Sequence, residues 1–311
     1  MAEIGSMGDL LGISQDGKTI VRFSRLKITD IPKPDFKSFF VAETGVFVLA
    51  TSATPTGEVT RYRKPNGEIV SQPAFSVQYY VARFRLDGTY VGATDLDLPF
   101  TPLQIGVFPG DEFLVAGRAK DGSYAPRVAL VKSSGQLDRL LTLTGDIHGV
   151  TSQSQADDTG LPKYAKSYEK TLNGAEAASV IVADGRNLLL VRTGQKTPVF
   201  SISAGGEIKA ITPDIPPGFT VFDLYAAKNL WIGLYTKPRT DDPKDASVLV
   251  QTYALDPATG KALARYTYPQ FMGFGFACSD GFEFTLLERP KDRLQLVKLV
   301  PAHRSSSQKR P

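Results

Sequence analysis

Residues 79–97 read YYVARFRLDGTYVGATDLD. Two runs of apolar and polar alternation flank Asp87-Gly88, and a glycine after a short polar residue supplies the positive φ of a tight hairpin turn. The pattern returns as RVALVKSSGQLDRLLTL at 127–143, VFSISAGGEIKAIT at 199–212 and VLVQTYALDPATGKALARYTY at 248–268. A shorter copy, LLGISQDGKTIVRF, stands at 10–23. Recurrence at roughly 45–75 residues marks one supersecondary unit used repeatedly, and the repeat sets the fold.

Each of these hairpins except the one at 10–23 is preceded by a second, more apolar one. They are SFFVAETGVFVLATSA (38–53), LQIGVFPGDEFLVAGRA (103–119), SVIVADGRNLLLVRTG (179–194) and TVFDLYAAKNLWIGLYTK (220–237). A fifth, FGFACSDGFEFTLLERP (274–290), is followed only by LQLVKLVP (294–301). Calling the strands A to D, A and B are continuously apolar, as expected of strands covered on both faces. C and D alternate, with Tyr80, Ala82, Phe84 and Leu86 expected to point one way and Arg83 and Arg85 the other. Apolar inner strands and more polar outer ones are what a β-propeller blade requires. No long segment of helical period separates the strands, so a parallel α/β fold is excluded. A β-sandwich would not explain four A-B-C-D units in one order.

The expected fold class is all-β: a β-propeller of four-stranded antiparallel blades, six-bladed with one partial blade. A five-bladed ring, closed by 18–27 as the last D strand, is the alternative. The expected organisation is a disordered or expression-derived leader at 1–9, one propeller domain at 10–301 and a disordered polar tail at 302–311.

The repeated pattern of an apolar pair, a short turn and then alternation around Asp-Gly resembles the six-bladed TolB-like or NHL-type bacterial propellers over about residues 10–300. The resemblance is specific for architecture and not for activity, because propellers of this kind include lactonases, lyases, receptors and binding scaffolds.

Composition excludes several function classes. Net charge is +4, with 36 basic and 32 acidic residues, giving no electrostatic case for nucleic acid. No apolar run approaches the roughly 20 residues of a membrane span. One cysteine, Cys278, permits no internal disulfide, and two histidines, His148 and His303, permit no three-histidine metal site. No G-x-S-x-G elbow, Walker loop or H-E-x-x-H motif occurs. Cys278 on strand A is expected to be an inert thiol, and Trp231 on strand B a core residue. An exported, periplasmic or secreted location is favoured if the native start lies upstream, and a cytoplasmic one otherwise; a monomer is expected.

Strand direction alternates, so the A–B and C–D turns share one rim and the B–C and D–A connections the other. All the long connections belong to the second kind: 54–77, 144–177 and 236–247. Long loops in compact domains are usually functional or disordered. The first insertion carries Arg61, Tyr62, Arg63 and Lys64 before a Pro65-Asn66-Gly67 turn and is expected to form its own small hairpin. Basic side chains beside an aromatic suit phosphate or an anionic sugar. The second carries His148, Asp157, Asp158, Lys163 and Tyr164, without the spacing of a calcium loop. The third balances Asp241, Asp242 and Asp245 against Lys237, Arg239 and Lys244. The candidate ligand-binding residues are therefore Arg61, Tyr62, Arg63, His148, Lys163 and Tyr164.

Two readings of function follow. One is a non-catalytic binding or protein-interaction propeller that uses the insertion rim for a small molecule or a protein, with no cofactor. The other, implied by the resemblance, is a metal-dependent hydrolase or lactonase. It would hold a divalent ion, calcium, at the tunnel mouth, with Gln104, Glu176, Asp223 and Glu288 as the candidate tunnel residues.

Overall fold

The computed structural model describes residues 2–3, 9–14, 18–64, 66–121, 126–143, 176–183, 186–192, 199–227, 230–238, 248–266, 274–280, 282–288, 295–301 and 303–304. These form six antiparallel sheets. Sheet 1 is β1 (Ala2–Glu3), β2 (Leu10–Ile13) and β3 (Ile20–Phe23), followed by a 3-10 turn at Arg25–Lys27. Sheet 2 is β4 (Asp35–Ala42), β5 (Gly45–Arg63), β6 (Ile69–Phe84) and β7 (Tyr90–Leu96). Sheet 3 is β8 (Phe100–Val107), β9 (Phe113–Ala119), β10 (Pro126–Val131) and β11 (Leu137–Leu141). Sheet 4 is β12 (Glu176–Ala183), β13 (Arg186–Arg192), β14 (Val199–Ile202) and β15 (Ile208–Ile211). Sheet 5 is β16 (Thr220–Ala227), β17 (Leu230–Pro238), β18 (Val248–Leu255) and β19 (Ala262–Tyr266). Sheet 6 is β20 (Phe274–Asp280), β21 (Glu283–Glu288) and β22 (Gln295–Leu299), and β23 (His303–Arg304) pairs with β19 of sheet 5.

Within sheets 2 to 5 the strands pair in chain order, the meander of a propeller blade. The sheets then stack in chain order through five apolar interfaces. Leu10 and Phe23 of sheet 1 meet Val48, Ala82 and Phe84 of sheet 2. Phe47, Leu49 and Val81 of sheet 2 meet Ile105, Phe113 and Val115 of sheet 3. Leu114, Ala116 and Leu130 then meet Phe200 and Ile202. Val199 and Ile211 meet Leu224, Trp231 and Leu255. Ile232, Ala254 and Tyr266 meet Phe284 and Leu299. The first strands β4, β8, β12, β16 and β20 neighbour one another in that order, so they line a common axis. The fold is a β-propeller, and both faces of the inner regions of sheets 2 to 5 are buried because each of these has a sheet on either side.

Several expectations need correction. The B strands are the most buried: Val46 to Ala50 and Leu114 to Ala116 are wholly enclosed. The A strand β4 is only half-buried along most of its length. In the C strand β6, Val81 and Ala82 are both buried, on opposite faces. Leu86 does not join Phe84 in the core; it lies in the turn, 54% exposed. Among the described residues strand β3 pairs with β2. His303 and Arg304 pair with Arg265 and Ala264 of β19.

Asp9 joins β2 to the segment after β3. The Asp9 carboxylate accepts from the Arg25 N–H at 2.9 Å and meets the Arg22 Nε at 2.8 Å. Burial alone would raise its pKa, but the Arg25 N–H, the Ser24 hydroxyl and the Arg22 guanidinium outweigh it and hold the group below its usual 3.8. A carboxyl depressed by folding adds stability above its unfolded pKa and loses it as pH falls through the folded value. Denaturation across the acid range is expected to show native stability falling more steeply below about pH 4 than that of Asp9→Asn. At neutral pH the variant is expected to be less stable by about 1 kcal/mol. Equal acid slopes for the two proteins would remove Asp9 from the account.

Candidate functional site

The β5–β6 connection decides the shape of the insertion rim. Register runs without a break from Val46↔Phe84 to Pro55↔Phe75, shifts once across Thr56 to Glu58, and resumes from Val59↔Pro73 to Arg63↔Ile69. Strand β4 covers β5 only as far as Thr51, and β7 covers β6 only from Tyr79. The remainder is a two-stranded arm standing off the sheet, as the sequence led us to expect. Its tip is closed by Gly67 N–H donating to the Lys64 carbonyl at 2.9 Å and by a Lys64–Glu68 ion pair at 3.0 Å. Pairing in a two-residue period places Arg61 and Arg63 on one side of the arm, opposite Ser71 and Ile69, with Tyr62 at the alternate register position. Thus Arg61 and Arg63 share one face of the arm. His148, Lys163 and Tyr164 lie outside the described residues.

A second feature of the same rim was not foreseen. Where β17 ends and β18 begins, a cleft of about 240 Å³ is lined by Phe219, Lys237, Gln251, Arg265 and Tyr266 among others. The Lys237 ammonium sits 4.8 Å from the centroid of the Phe219 ring. The cleft presents two cations and no acid, a lining that suits an anion. Lys237 was read only as local charge balance in the third insertion, and Arg265 was not singled out. They converge through the β17–β18–β19 pairing, which links residues far apart in the chain.

The axis carries a third feature. Each of the five inner strands has a β-bulge, between Phe36 and Ser38, Pro102 and Gln104, Ala177 and Ser179, Val221 and Asp223, and Phe276 and Cys278. In sheets 2 to 5 it lies at nearly the same distance from the hairpin turn; in sheet 6 it is nearer the turn. Bulges re-aim the following residue and recur beside functional sites. The residue after the bulge is in every case a hydrogen-bonding or thiol type: Ser38, Gln104, Ser179, Asp223 and Cys278. Two of the four tunnel candidates, Gln104 and Asp223, are therefore each the residue that follows the bulge of its strand. Glu176 and Glu288 instead stand at strand ends, paired with Arg192 and Phe274. Among the described residues no group of three or more His, Cys, Asp or Glu side chains is placed to hold a metal ion.

The opposite rim is built for stability. The Arg83 guanidinium lies 5.2 Å from the Phe47 ring centroid and 2.5 Å from the Asp111 carboxylate, which also accepts from the Thr44 hydroxyl at 3.2 Å. Asp111 has φ +61°, at the turn position that Gly88 and Gly135 occupy elsewhere. The clip between sheets 2 and 3 offsets the cost of that left-handed backbone.

No family model matches the chain, and no curated protein matches it. Among solved structures, the periplasmic gluconolactonase of Pseudomonas aeruginosa is similar at 13% identity and TM-score 0.39, over 95% of this chain and 97% of its own. A protein of unknown function from Bacteroides caccae is similar at 13% identity and TM-score 0.40, over 84% and 91%. The virginiamycin B lyase of Staphylococcus aureus is similar at 10% identity and TM-score 0.37, over 85% and 83%. At these identities and scores the likenesses carry no argument about activity; the propeller assignment stands on the chain's own stacked sheets.

Proposed function

We propose that the protein is a non-catalytic binding propeller that engages its ligand or partner on the rim carrying the B–C and D–A connections. The observation that carries this reading is the β5–β6 arm, which runs to Arg63↔Ile69 well beyond the strands that flank it. An extension of this length contributes little to the inter-sheet core, and its function is sought in what it touches. The cation-lined cleft on the same rim supports the same placement. Membership of the six-bladed TolB-like or NHL-type propellers is part of the proposal, supported by the six sheets stacked in chain order.

The position after the bulge, held by Gln104 and Asp223 on their inner strands, favours a second reading, a hydrolase or lactonase that uses a divalent ion at the axis. Thermal unfolding with and without calcium separates the two. The binding reading expects no change in Tm. An axial calcium site would add roughly 2.7 kcal/mol at a hundredfold excess over Kd. Such stabilisation, lost in Asp223→Asn, would displace the binding reading.

A further inference from the structure

The side chains of the arm are sorted by face. Register places Ala53, Pro55, Val59, Arg61 and Arg63 of β5 with Val77, Phe75, Pro73, Ser71 and Ile69 of β6 on one face. The register shift at Thr56–Glu58 adds two residues, so it leaves that alternation in phase. Four of this face's side chains are large, apolar and open to solvent: Val59 is 61% exposed, Phe75 52%, Ile69 50% and Val77 44%. The other register positions pair Thr54 with Ser76, Thr60 with Gln72 and, toward the tip, Tyr62 with Val70, so polar residues predominate there. An arm with no partner has no reason to concentrate its apolar residues on one side.

The apolar face continues an established interface. Toward the sheet the same register positions become Tyr79, Leu49 and Val81, and these pack against sheet 3. Beyond the rim sheet 3 no longer reaches, and the face is left uncovered. Strand addition along the arm's edges is obstructed, because Pro55 and Pro73 have no N–H to donate and interrupt both edges. Contact therefore falls to the face. Toward the tip that face carries Arg61 and Arg63 and no acid at any of its register positions.

We propose that the Val59, Phe75, Val77 and Ile69 face of the β5–β6 arm, with Arg61 and Arg63, docks a second protein that presents apolar side chains beside carboxylates. This rests on the binding reading above and names the partner's chemistry. Apolar anchors would supply the buried centre of such an interface, and guanidinium–carboxylate pairs its orientation and specificity.

The test pans the full chain, immobilised, against a random library of linear peptides displayed on phage, and measures affinities of synthetic copies of the enriched peptides. The expected consensus interleaves Asp or Glu with Leu, Ile, Val or Phe. Affinity is expected to fall more than tenfold for Phe75→Ser with Val77→Ser, and for Arg61→Glu with Arg63→Glu. Peptides whose carboxylates are exchanged for lysines are expected to regain binding to the arginine-reversed variant. Gln72→Ala with Ser76→Ala on the opposite face is expected to change nothing. All variants should unfold at the midpoint of the parent, since the substituted positions lie on the arm.

Enriched peptides without acids, binding indifferent to the arm, or no enrichment would each overturn the proposal. So would residue-dependent co-sedimentation with phosphatidylglycerol vesicles, or a concentration-dependent dimer lost in Phe75→Ser, which would assign the face to lipid or to a second copy. Peptides that bind elsewhere on the insertion rim would sink this partner and leave the binding reading standing, whereas calcium stabilisation lost in Asp223→Asn would sink that reading itself.

Discussion

Replacing Gly135 by valine is expected to destabilise the protein by about 3–5 kcal/mol, among the larger effects a single substitution can have. Gly135 closes the β10–β11 turn, donating to the Lys132 carbonyl at 2.8 Å while Lys132 N–H donates to Gln136 at 2.9 Å. Its φ is +84°, a conformation that costs a residue with a side chain about 1–2 kcal/mol. The larger part of the effect is steric. A Cβ at this position would lie 1.9 Å from the Asp95 carbonyl oxygen of β7, in the preceding sheet. That neighbour is backbone and can move only if sheets 2 and 3 separate. Gly88 repeats the arrangement one sheet earlier, where a Cβ would lie 2.7 Å from the Arg22 carbonyl oxygen of β3. The turn glycine thus lets successive sheets approach at their outer edges. Gly57→Ala is the control: φ is +82° there too, but nothing lies within 4 Å of the added carbon, so about 1 kcal/mol is expected. Denaturant midpoints of the two variants measure the difference. Equal losses would show that backbone conformation alone is responsible and that the inter-sheet contact is dispensable.

Trp231→Ala is expected to cost about 3–5 kcal/mol. Trp231 on β17 is 0% exposed and packs with Leu224 and Leu255 of its own sheet against Val199 and Ile211 of sheet 4. Its removal would leave a cavity in an interface between rigid sheets, where little can collapse inward. The indole Nε1 has no hydrogen-bond partner among the described residues. Trp231→Phe therefore removes an unpaired donor along with some volume, and is expected to be the milder change by at least 1 kcal/mol. Far-UV circular dichroism in denaturant measures both, because either variant removes the chain's only tryptophan and with it the indole fluorescence. A phenylalanine variant as damaged as the alanine one would place the indole N–H in a bond essential to the interface.

The repeat was legible because its signals are local. Asp87-Gly88 fixes a turn within its own hairpin, the two-residue period of 79–97 fixes which positions can be buried, and the apolar B strands announce cover on both faces. The placement of Trp231 in the core and the arm at 54–77 followed from the same kind of reading. The site was legible only in part. Arg61, Tyr62 and Arg63 were nominated as one basic-aromatic group, whereas the pairing of β5 with β6 puts Tyr62 out of phase with the two arginines. Val59, Phe75, Val77 and Ile69 were passed over. Their common face appears only when a register shift of two residues is carried through the hairpin, although the alternation from Ile69 to Val77 already held half of that signal.

What the sequence determined by itself, then, is the unit: two hairpins, the deep burial of the B strand, and the arm by which the chain lengthens its first B–C connection. What only the tertiary structure decided is everything that depends on one unit meeting another. The bulges on the inner strands, the glycine turns set against the preceding sheet, the meeting of Lys237 with Arg265 and the uncovered face of the arm are of this kind. The physical reason is range. Turn conformation and strand alternation are set within a few residues, whereas register and sheet-to-sheet packing join residues that are remote in the chain, and no short window of sequence contains both partners.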